Sequence, residues 1–473
     1  MRKTILPKKI IEFNNINQPN NLINNQIKQV VLRFDNEWKN SITRVIGKGY
    51  IIIDFGMEMN GGISIITGSI ENNFANIRIR FGESLSEVNS NIGDKNSTNH
   101  HSVRDMSVGI TMFSKAVFGD TGFRFVRIDF LDENKIDLQN ITCINNILVK
   151  KSLYKYKGND KEVLRIFNVA KRTIDLCTTD DYVWDGVKRD RLVWVGDIHP
   201  MMLALTTLYG RVKQIENSLD FIKQTTQKGT WMHGIPTYSM WWIIILVDYY
   251  ELIGAKDYAE EKLEYINEIL KLIENHVDEQ GNLTLPMYFL DWQTNETVDA
   301  VLGVQAVCLI AVKKALNLFK DFGFDVSTAE KLLIKLNKYT FNSSDKKQVI
   351  ALKYFLNNKL TDEDYSRLIK DGARGISTFM SYYILKAIAS RDSEKAIEIM
   401  KEYYGAMIVK GATTFWEDFD VGWIKNSCNI DEFPPAGQKD IHGDYGAYCY
   451  KGFRHSLCHG WASGVIKFIK EYC

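Results

Sequence analysis

The sequence predicts a chain of two parts, a β-sandwich over residues 1–155 followed by an all-helical domain over residues 156–473. Three observations carry this. A chain of 473 residues exceeds what one hydrophobic core serves, so it divides into two or three domains. The apolar residues recur with period two in the first part and at steps of three and four in the second. The change falls at the polar stretch Lys155-Tyr-Lys-Gly-Asn-Asp160.

In the first part, Gly49-Tyr-Ile-Ile-Ile-Asp-Phe55 is a short β-branched run, and Gly61-Gly62 punctuates before Ile63-Ser-Ile-Ile66. Ile77-Arg-Ile-Arg-Phe81 and Phe123–Leu131 alternate apolar and polar residues, as half-buried strands do. Short strands at this spacing, with polar turns between them, suggest a sandwich. The stretches Asn14–Asn25 and Ser90–Asp105 are polar and read as long loops. In the second part, Val163, Leu164, Phe167, Ala170 and Ile174 lie at helical spacing. Similar patterns follow over Met201–Leu208, Trp241–Leu252, Tyr258–Ile273, Val301–Phe319, Ala329–Leu336, Gln348–Leu356, Thr378–Ala389, Ser393–Tyr404 and Gly460–Glu471. Helical hairpins in such number fit a solenoid or a closed toroid. The absence of a repeat of fixed period favours the toroid, which gathers its loops at one mouth.

Composition excludes several functions. Hydrophobic residues at 45% and charged residues at 25% are the balance of a globular protein. A net charge of +1 gives no global field for nucleic acid or an anionic membrane, and neither partner is expected. The N-terminal stretch is basic but has no apolar run, so no signal peptide is expected. No apolar run reaches the roughly 20 residues that span a bilayer; Met240–Asp248 comes nearest and reads as a buried helix. The seven Cys, at 143, 177, 308, 428, 449, 458 and 473, are odd in number and form no CxxC pair. They read as free thiols of a cytoplasmic protein, without a disulfide framework or zinc site. Walker, Rossmann, HExxH and Gly-x-Ser-x-Gly motifs are absent, which counts against nucleotide, hydride, zinc-protease and serine-hydrolase chemistry.

Four loops concentrate acids with aromatics. Thr178–Pro200 holds Asp180, Asp181, Asp185, Asp190 and Asp197 with Trp184 and Trp194, interleaved with Lys188, Arg189 and Arg191. A solvated, ion-paired loop would account for the charges but not for two indoles. Gly411-Ala-Thr-Thr-Phe-Trp416-Glu417-Asp418 reads either as a chemical site or as a helix start capped by Thr413 or Thr414 with Glu417. Met287–Trp292 holds the pair Asp291 and Trp292, which could equally be a capping Asp and a core Trp. His455–Gly464 holds Cys458 beside His459 and Trp461. A thiol nucleophile is rejected there, because adjacent side chains point apart and no Cys-protease signature surrounds them. Paired carboxylates among aromatics suit glycosidic cleavage, where one carboxyl must donate a proton and the other must be ionised. Ten Trp and 12% aromatics allow sugar stacking as well as a large core.

Asp185-x-x-x-Arg189-Asp190-Arg191-x-x-Trp194-x-Gly196-Asp197 resembles the D-x-x-x-R-D-E-R-x-G-W-x-G-D signature of the α-L-rhamnosidases of glycoside hydrolase family 78. Ala412-Thr-Thr-Phe-Trp416-Glu417 resembles that family's A-T-T-x-W-E run, and Ser456-Leu-Cys-His459-Gly-Trp461 its histidine motif. Asp54-Phe-Gly56, Arg80-Phe-Gly82-Glu83 and Gly122-Phe-Arg124-Phe-Val126 look like its β-domain strands. The resemblance implies a β-sandwich followed by an (α/α)6 barrel, and an inverting exo-glycosidase that uses neither metal nor organic cofactor. It makes Glu417 the general base. Asp185, Arg189, Trp194, Asp197, Asp291, Trp292, Trp416, His459 and Trp461 become contacts to a carbohydrate substrate, the terminal rhamnosyl unit of small glycosides or oligosaccharides, with support of the base as the other role open to His459.

Three departures stand out. The signature is one residue short. Counting back from Asp197 puts Asp190 in the place of the general-acid Glu, whereas counting forward from Asp185 puts it at the family's Asp. The shared Trp194-x-Gly-Asp197 end favours the first register. Val193 stands where the family has Gly, and the family's C-terminal β-domain has no counterpart in this sequence. Two other readings are the same chemistry on a different sugar and a non-catalytic sugar-binding relative. Aglycone, linkage and oligomeric state are not written in the sequence.

Overall fold

The structure, a computed structural model, describes residues 2–294, 297–446 and 450–473. Its first part is strand-rich and the rest is helical. Strands β1 (Arg2–Ile5), β2 (Lys9–Asn17), β3 (Thr43–Ile70), β4 (Phe74–Gly82), β5 (Asp105–Thr111), β6 (Lys115–Phe130) and β7 (Lys135–Asn146) join in one antiparallel sheet of order β1-β7-β3-β6-β4-β5, with β2 on β3. Ile51, Ile53, Ile63, Ile65, Ile77, Ile79, Val126 and Ile128 fill its core. Ile52 points the other way, onto a small cluster with Leu85, Val88 and Phe125.

The runs 49–55 and 63–66 form one 28-residue strand, β3, and the glycines between them do not turn the chain. A Cβ on Gly61 would lie 2.1 Å from the Ile144 carbonyl oxygen, and one on Gly62 2.2 Å from that of Gly119. The two glycines mark close passage of neighbouring backbones. The stretch Asn14–Asn25 is not a long loop: β2 continues to Asn17, and a short helix covers Asn21–Asn24. The segment 90–104 is irregular apart from one turn at Asp94–Asn96.

The helices alternate between two layers. Outer helices are α1 (Lys161–Cys177), α3 (Lys213–Thr225), α5 (Leu263–Glu274), α7 (Ser327–Leu336), α9 (Asp362–Ile369) and α11 (Ser393–Val409). Inner helices are α2 (Val195–Tyr209), α4 (Pro236–Ile253), α6 (Val298–Phe322), α8 (Lys347–Asn357), α10 (Ser381–Ala389) and α12 (Val465–Tyr472). Each inner helix packs on the next, and α12 packs on α2, so the inner layer is a closed ring. Membership of the layers follows from sequence. α1 buries one stripe, capped by the Asp160 carboxylate on the Glu162 and Val163 amides. α4 is apolar on all sides, from Met240 through Val247, because it has neighbours on every side.

α3 and α9 were not visible in the apolar pattern; each buries few positions, four in thirteen for α3 and one in eight for α9. The pattern Tyr258–Ile273 splits into Lys256–Glu260 and α5, and Gly460–Gly464 is a tight turn ahead of α12. At 25 residues α6 is the one described helix long and apolar enough to cross a membrane; it is an inner helix, with 72% of its most apolar window buried. Six cysteines are free thiols, all buried except Cys473; Cys449 lies outside the described residues.

Candidate active site

The acid-rich segment 178–197 connects α1 to α2 and is pinned on both sides. The Trp184 amide donates to the Cys177 carbonyl (2.8 Å), and the Gly460 amide donates to that of Asp185 (2.6 Å). Asp190 (φ 53°) and Arg191 (φ 52°) are both left-handed. Such conformations cost about 1–3 kcal/mol each and concentrate at functional sites. This double turn sends the Asp190 side chain into a cavity. Val193 carries no left-handed backbone, so no glycine is required there.

That cavity, of about 210 Å³, is lined by Asp185, Asp190, Trp194, Asp197, Trp292, Glu417, His459 and Trp461, together with Tyr238, Phe289 and Tyr450. Glu417 arrives on the segment after α11. Its amide donates to the Ser456 carbonyl and the Ser456 amide donates back to Oε2, both at 3.0 Å. The Trp461 indole N–H donates to the Glu417 carbonyl (3.0 Å). No helix starts at Thr413 or Thr414, so the capping reading of this loop fails; Thr414 Oγ1 donates instead to the Leu457 carbonyl (2.8 Å).

Arg189 organises the centre. Its Nη1 donates to Asp190 Oδ2 at 2.5 Å, and its Nη2 to Glu417 Oε1 and Oε2 at 2.5 and 2.6 Å. Its Nε donates to the Arg454 carbonyl (2.6 Å), and its plane lies 3.4 Å from the centre of the Tyr450 ring. Arg189 is buried and does not line the cavity, so it holds the two carboxylates rather than the ligand. Because one guanidinium touches both, Asp190 and Glu417 are separated by no more than two hydrogen bonds and its width. A gap well beyond the roughly 9.5 Å limit of an inverting pair is excluded.

Burial works to raise the Glu417 pKa, but the Arg189 charge and the imidazoles of His459 and His455 overturn it, holding the carboxyl at about 2. Burial depresses those imidazoles to about 4 and about 3, so at neutral pH they are uncharged and Arg189 does the work. Asp185 and Asp197 are the reverse case: burial, reinforced for Asp185 by Asp197 and for Asp197 by Glu417, raises both well above the usual carboxylate range. His459 Nε2 sits 3.9 Å from a carboxylate oxygen of each. The site thus holds one carboxyl pushed down and two pushed up, shifts of opposite sign such as acid–base catalysis uses.

Asp291 and Trp292 reach a smaller adjoining cavity that also touches Glu417, and Trp292 lines both cavities. Asp291 is occupied structurally, accepting from Thr294 Oγ1 and Ser377 Oγ, both at 2.7 Å. Trp416 is corrected: it is buried against Phe419 and lines neither cavity, because its neighbour Glu417 takes the inward direction. The Cys458 thiol is buried and pushed well up, chiefly by desolvation, which makes it inert.

Tyr238, Phe289 and Tyr450 were missed. Tyr238 lies in the apolar run of α4, where it reads as core; its hydroxyl donates to Asp197 Oδ1 (3.3 Å). Gly196 explains how it fits. A Cβ there would lie 2.2 Å from the Tyr238 ring. Gly196→Ala should therefore cost about 1–3 kcal/mol by overpacking, read as a lower melting temperature; an unchanged melting temperature would show that the ring moves freely.

The sheet domain braces this site. Glu83 Oε2 accepts from the Leu457 amide (2.6 Å), and Glu83 Oε1 from Ser456 Oγ (3.1 Å). Lys188 Nζ lies 3.0 Å from Glu83 and 3.2 Å from Glu87. Among the described residues Glu83, Glu87 and His442 are the one grouping spaced to hold a metal ion, and the Lys188 ammonium already fills it, 3.4 Å from His442 Nε2.

Residues 153–359 match the family model described as the bacterial alpha-L-rhamnosidase six-hairpin glycosidase domain. The match spans less than half of the 473 residues, nearly all of it in the helical domain, and supports a glycoside hydrolase. The matched residues include Asp185 to Asp197 and Asp291–Trp292, and stop short of Glu417 and His459. Among solved structures, a Klebsiella oxytoca rhamnosidase with rhamnose bound is 18% identical, with 100% of this chain and 96% of that chain covered and a TM-score of 0.76. A family 78 rhamnosidase of Bacillus sp. GL1 is 16% identical over 96% of this chain but 48% of its own (TM-score 0.71). A Streptomyces avermitilis α-L-rhamnosidase complexed with L-rhamnose is 13% identical over 98% of this chain and 43% of its own (TM-score 0.63). These likenesses show a shared fold. No curated protein matches the chain.

Proposed function

We propose that the protein is an inverting exo-α-L-rhamnosidase that removes terminal α-L-rhamnosyl units from small glycosides or oligosaccharides in the cytoplasm. One observation carries the reading: Asp190 and Glu417, fixed by a single arginine, bracket a cavity of about 210 Å³ walled by Trp194, Trp292 and Trp461. This is small beside the roughly 300–1,000 Å³ of drug-sized pockets and suits one sugar ring, which favours exo action. The ring of paired helices supports an (α/α)6 barrel over residues 156–473, preceded by a sandwich-like sheet domain over 1–155.

In the mechanism, the sugar stacks on the indoles, and Asp185, Asp197 and His459 bind its hydroxyls. Glu417, ionised and shielded from bulk water, takes a proton from a water that attacks the anomeric carbon. Asp190 gives its proton to the departing glycosidic oxygen, so the configuration inverts. Neither step requires a metal or cofactor.

A second assignment of the donor has its own support. Burial pushes the carboxyls of Asp185 and Asp197 well up, whereas Asp190 is paired with the Arg189 cation. Leaving-group dependence separates the two. If Asp190 is the donor, Asp190→Asn lowers kcat/KM on rhamnosyl disaccharides by about 10²–10⁴ but only slightly on p-nitrophenyl α-L-rhamnoside, whose leaving group needs no proton. Equal loss on both substrates gives Asp190 a binding role and moves the donor to Asp197 or Asp185. The reading as a whole is tested on a panel of p-nitrophenyl glycosides, with the anomer first formed followed by NMR. Hydrolysis of the α-L-rhamnoside with inversion is expected. Preference for another sugar, or sugar binding without turnover, would replace it.

A further inference from the structure

A second and larger cavity, of about 490 Å³, opens beside the sugar site where α8 begins and α9 ends. Gln293 lines it and also lines the small cavity of Asp291 and Glu417. That small cavity shares Trp292, Glu417, Tyr450 and Trp461 with the sugar cavity, so the three hollows adjoin in a row.

The wall of the outer hollow is charged. Lys346, Lys347, Lys370 and Arg374 line it, and none of the four makes an ion pair among the described residues. A fifth cation, Arg367, is tied to Asp345 at 3.1 Å and to Glu363 at 2.6 Å. With Asp345, Asp371 and Asp420 as the acids of the wall, positive charge is in excess. Lys347 is the telling member. Its side chain is buried, its ammonium donates to the Gly372 carbonyl at 2.5 Å, and Asp371 and Glu402 act on it from a distance without forming an ion pair. Desolvation depresses it to about 8. An ammonium taken out of water without a directly paired counter-ion is costly, and an arriving anion reduces that cost. The start of α8 adds to the field: Lys346 at its N-cap offers no side-chain acceptor to the free amides of the first turn. A neutral sugar needs none of this charge.

We propose that the outer cavity binds a carboxylate or phosphate carried by the substrate beyond its terminal rhamnose, so that the enzyme prefers anionic rhamnosides. This rests on the rhamnosidase reading. The test compares an α-L-rhamnosyl hexuronate with the matching rhamnosyl hexose, which differ only in carboxylate against hydroxymethyl. The wild-type enzyme should favour the uronate in kcat/KM by about tenfold or more, as a charge-assisted contact of roughly 1.5–3 kcal/mol requires. High salt should reduce the preference. The double variant Lys370→Gln, Arg374→Gln alters exposed side chains only; it should bring the preference to parity and leave p-nitrophenyl α-L-rhamnoside turnover unchanged. Absence of a preference in the wild type, or its survival in the variant, overturns the proposal. Inorganic phosphate, titrated by calorimetry, separates the source of the anion. Binding that depends on Lys370 and Arg374, beside equal turnover of the two disaccharides, would mean a free ion and not a substrate group. If p-nitrophenyl α-L-rhamnoside is not cleaved at all, the rhamnosidase reading fails. The titration then decides separately whether the cavity takes an anion: no binding sinks the site, and binding that depends on Lys370 and Arg374 keeps it.

Discussion

Glu417→Gln is expected to lower kcat on p-nitrophenyl α-L-rhamnoside by about a thousandfold, within the roughly 10²–10⁴ that general-base catalysis contributes. The amide keeps the shape of the side chain and can still accept from Arg189 and the Ser456 amide, but it cannot take a proton from water. Binding of L-rhamnose, measured by calorimetry, should change little, because the cavity walls stay in place. A variant that retains the wild-type rate removes Glu417 from the reaction. The same carboxyl sets a pH expectation. Held at about 2, it stays ionised down through about pH 4, so an acid limb of kcat/KM above about pH 4 belongs to another group. Its stabilisation runs in the same direction. The folded pKa lies below the ordinary glutamate value of 4.5, so the contribution is complete above about pH 4.5 and is lost only as the pH falls toward 2.

Much of this arrangement is legible in the sequence because the chemistry is concentrated locally. Asp185, Asp190, Trp194 and Asp197 fall within thirteen residues that no amphipathic period explains, and all four meet in one cavity. Glu417, His459 and Trp461 come from loops that share the same excess of acid and indole. What escaped is what only tertiary contact defines. Tyr238 and Phe289 look like core in an apolar context, and only the fold turns them toward the cavity. Trp416 misled for the opposite reason: adjacent residues on an extended segment face opposite ways, so one motif supplies a wall residue and a core residue. The sheet domain was readable as strands, yet Gly61-Gly62 signals a turn in isolation and close strand passage in context. Nor does any local pattern announce that Glu83 and Glu87 reach across to hold Lys188 and the 456–457 amides, because these partners lie more than a hundred residues away. Arg189 was read as a neighbour of the sugar. Its role as the clamp on both carboxylates arises only where the fold brings Glu417 to it.

That clamp gives the second large effect. Arg189→Met should destabilise the fold by about 3–5 kcal/mol, since deleting one partner of a buried ion pair leaves an uncompensated charge in place. The loss is compounded here because both Asp190 and Glu417 use the same guanidinium. The distinguishing sign is in the pH dependence. Without Arg189, burial of Glu417 loses its main opponent, and the pKa should rise above the ordinary glutamate value of 4.5. A raised folded-state pKa stabilises fully below the unfolded value and loses that stabilisation as the pH climbs through the folded one. The melting temperature of the variant should therefore increase on acidification from pH 8 toward pH 5 by more than that of the wild type, where the raised carboxyls of Asp185 and Asp197 already give a trend of the same sign. Residual activity should acquire an acid limb in the same range, because the base is now protonated there. Arg189→Lys restores a charge but not the two-armed geometry, and should recover stability more than rate. Equal melting curves for wild type and Arg189→Met at every pH would show that the two carboxylates do not depend on the arginine, and the electrostatic account of the site would fall with it.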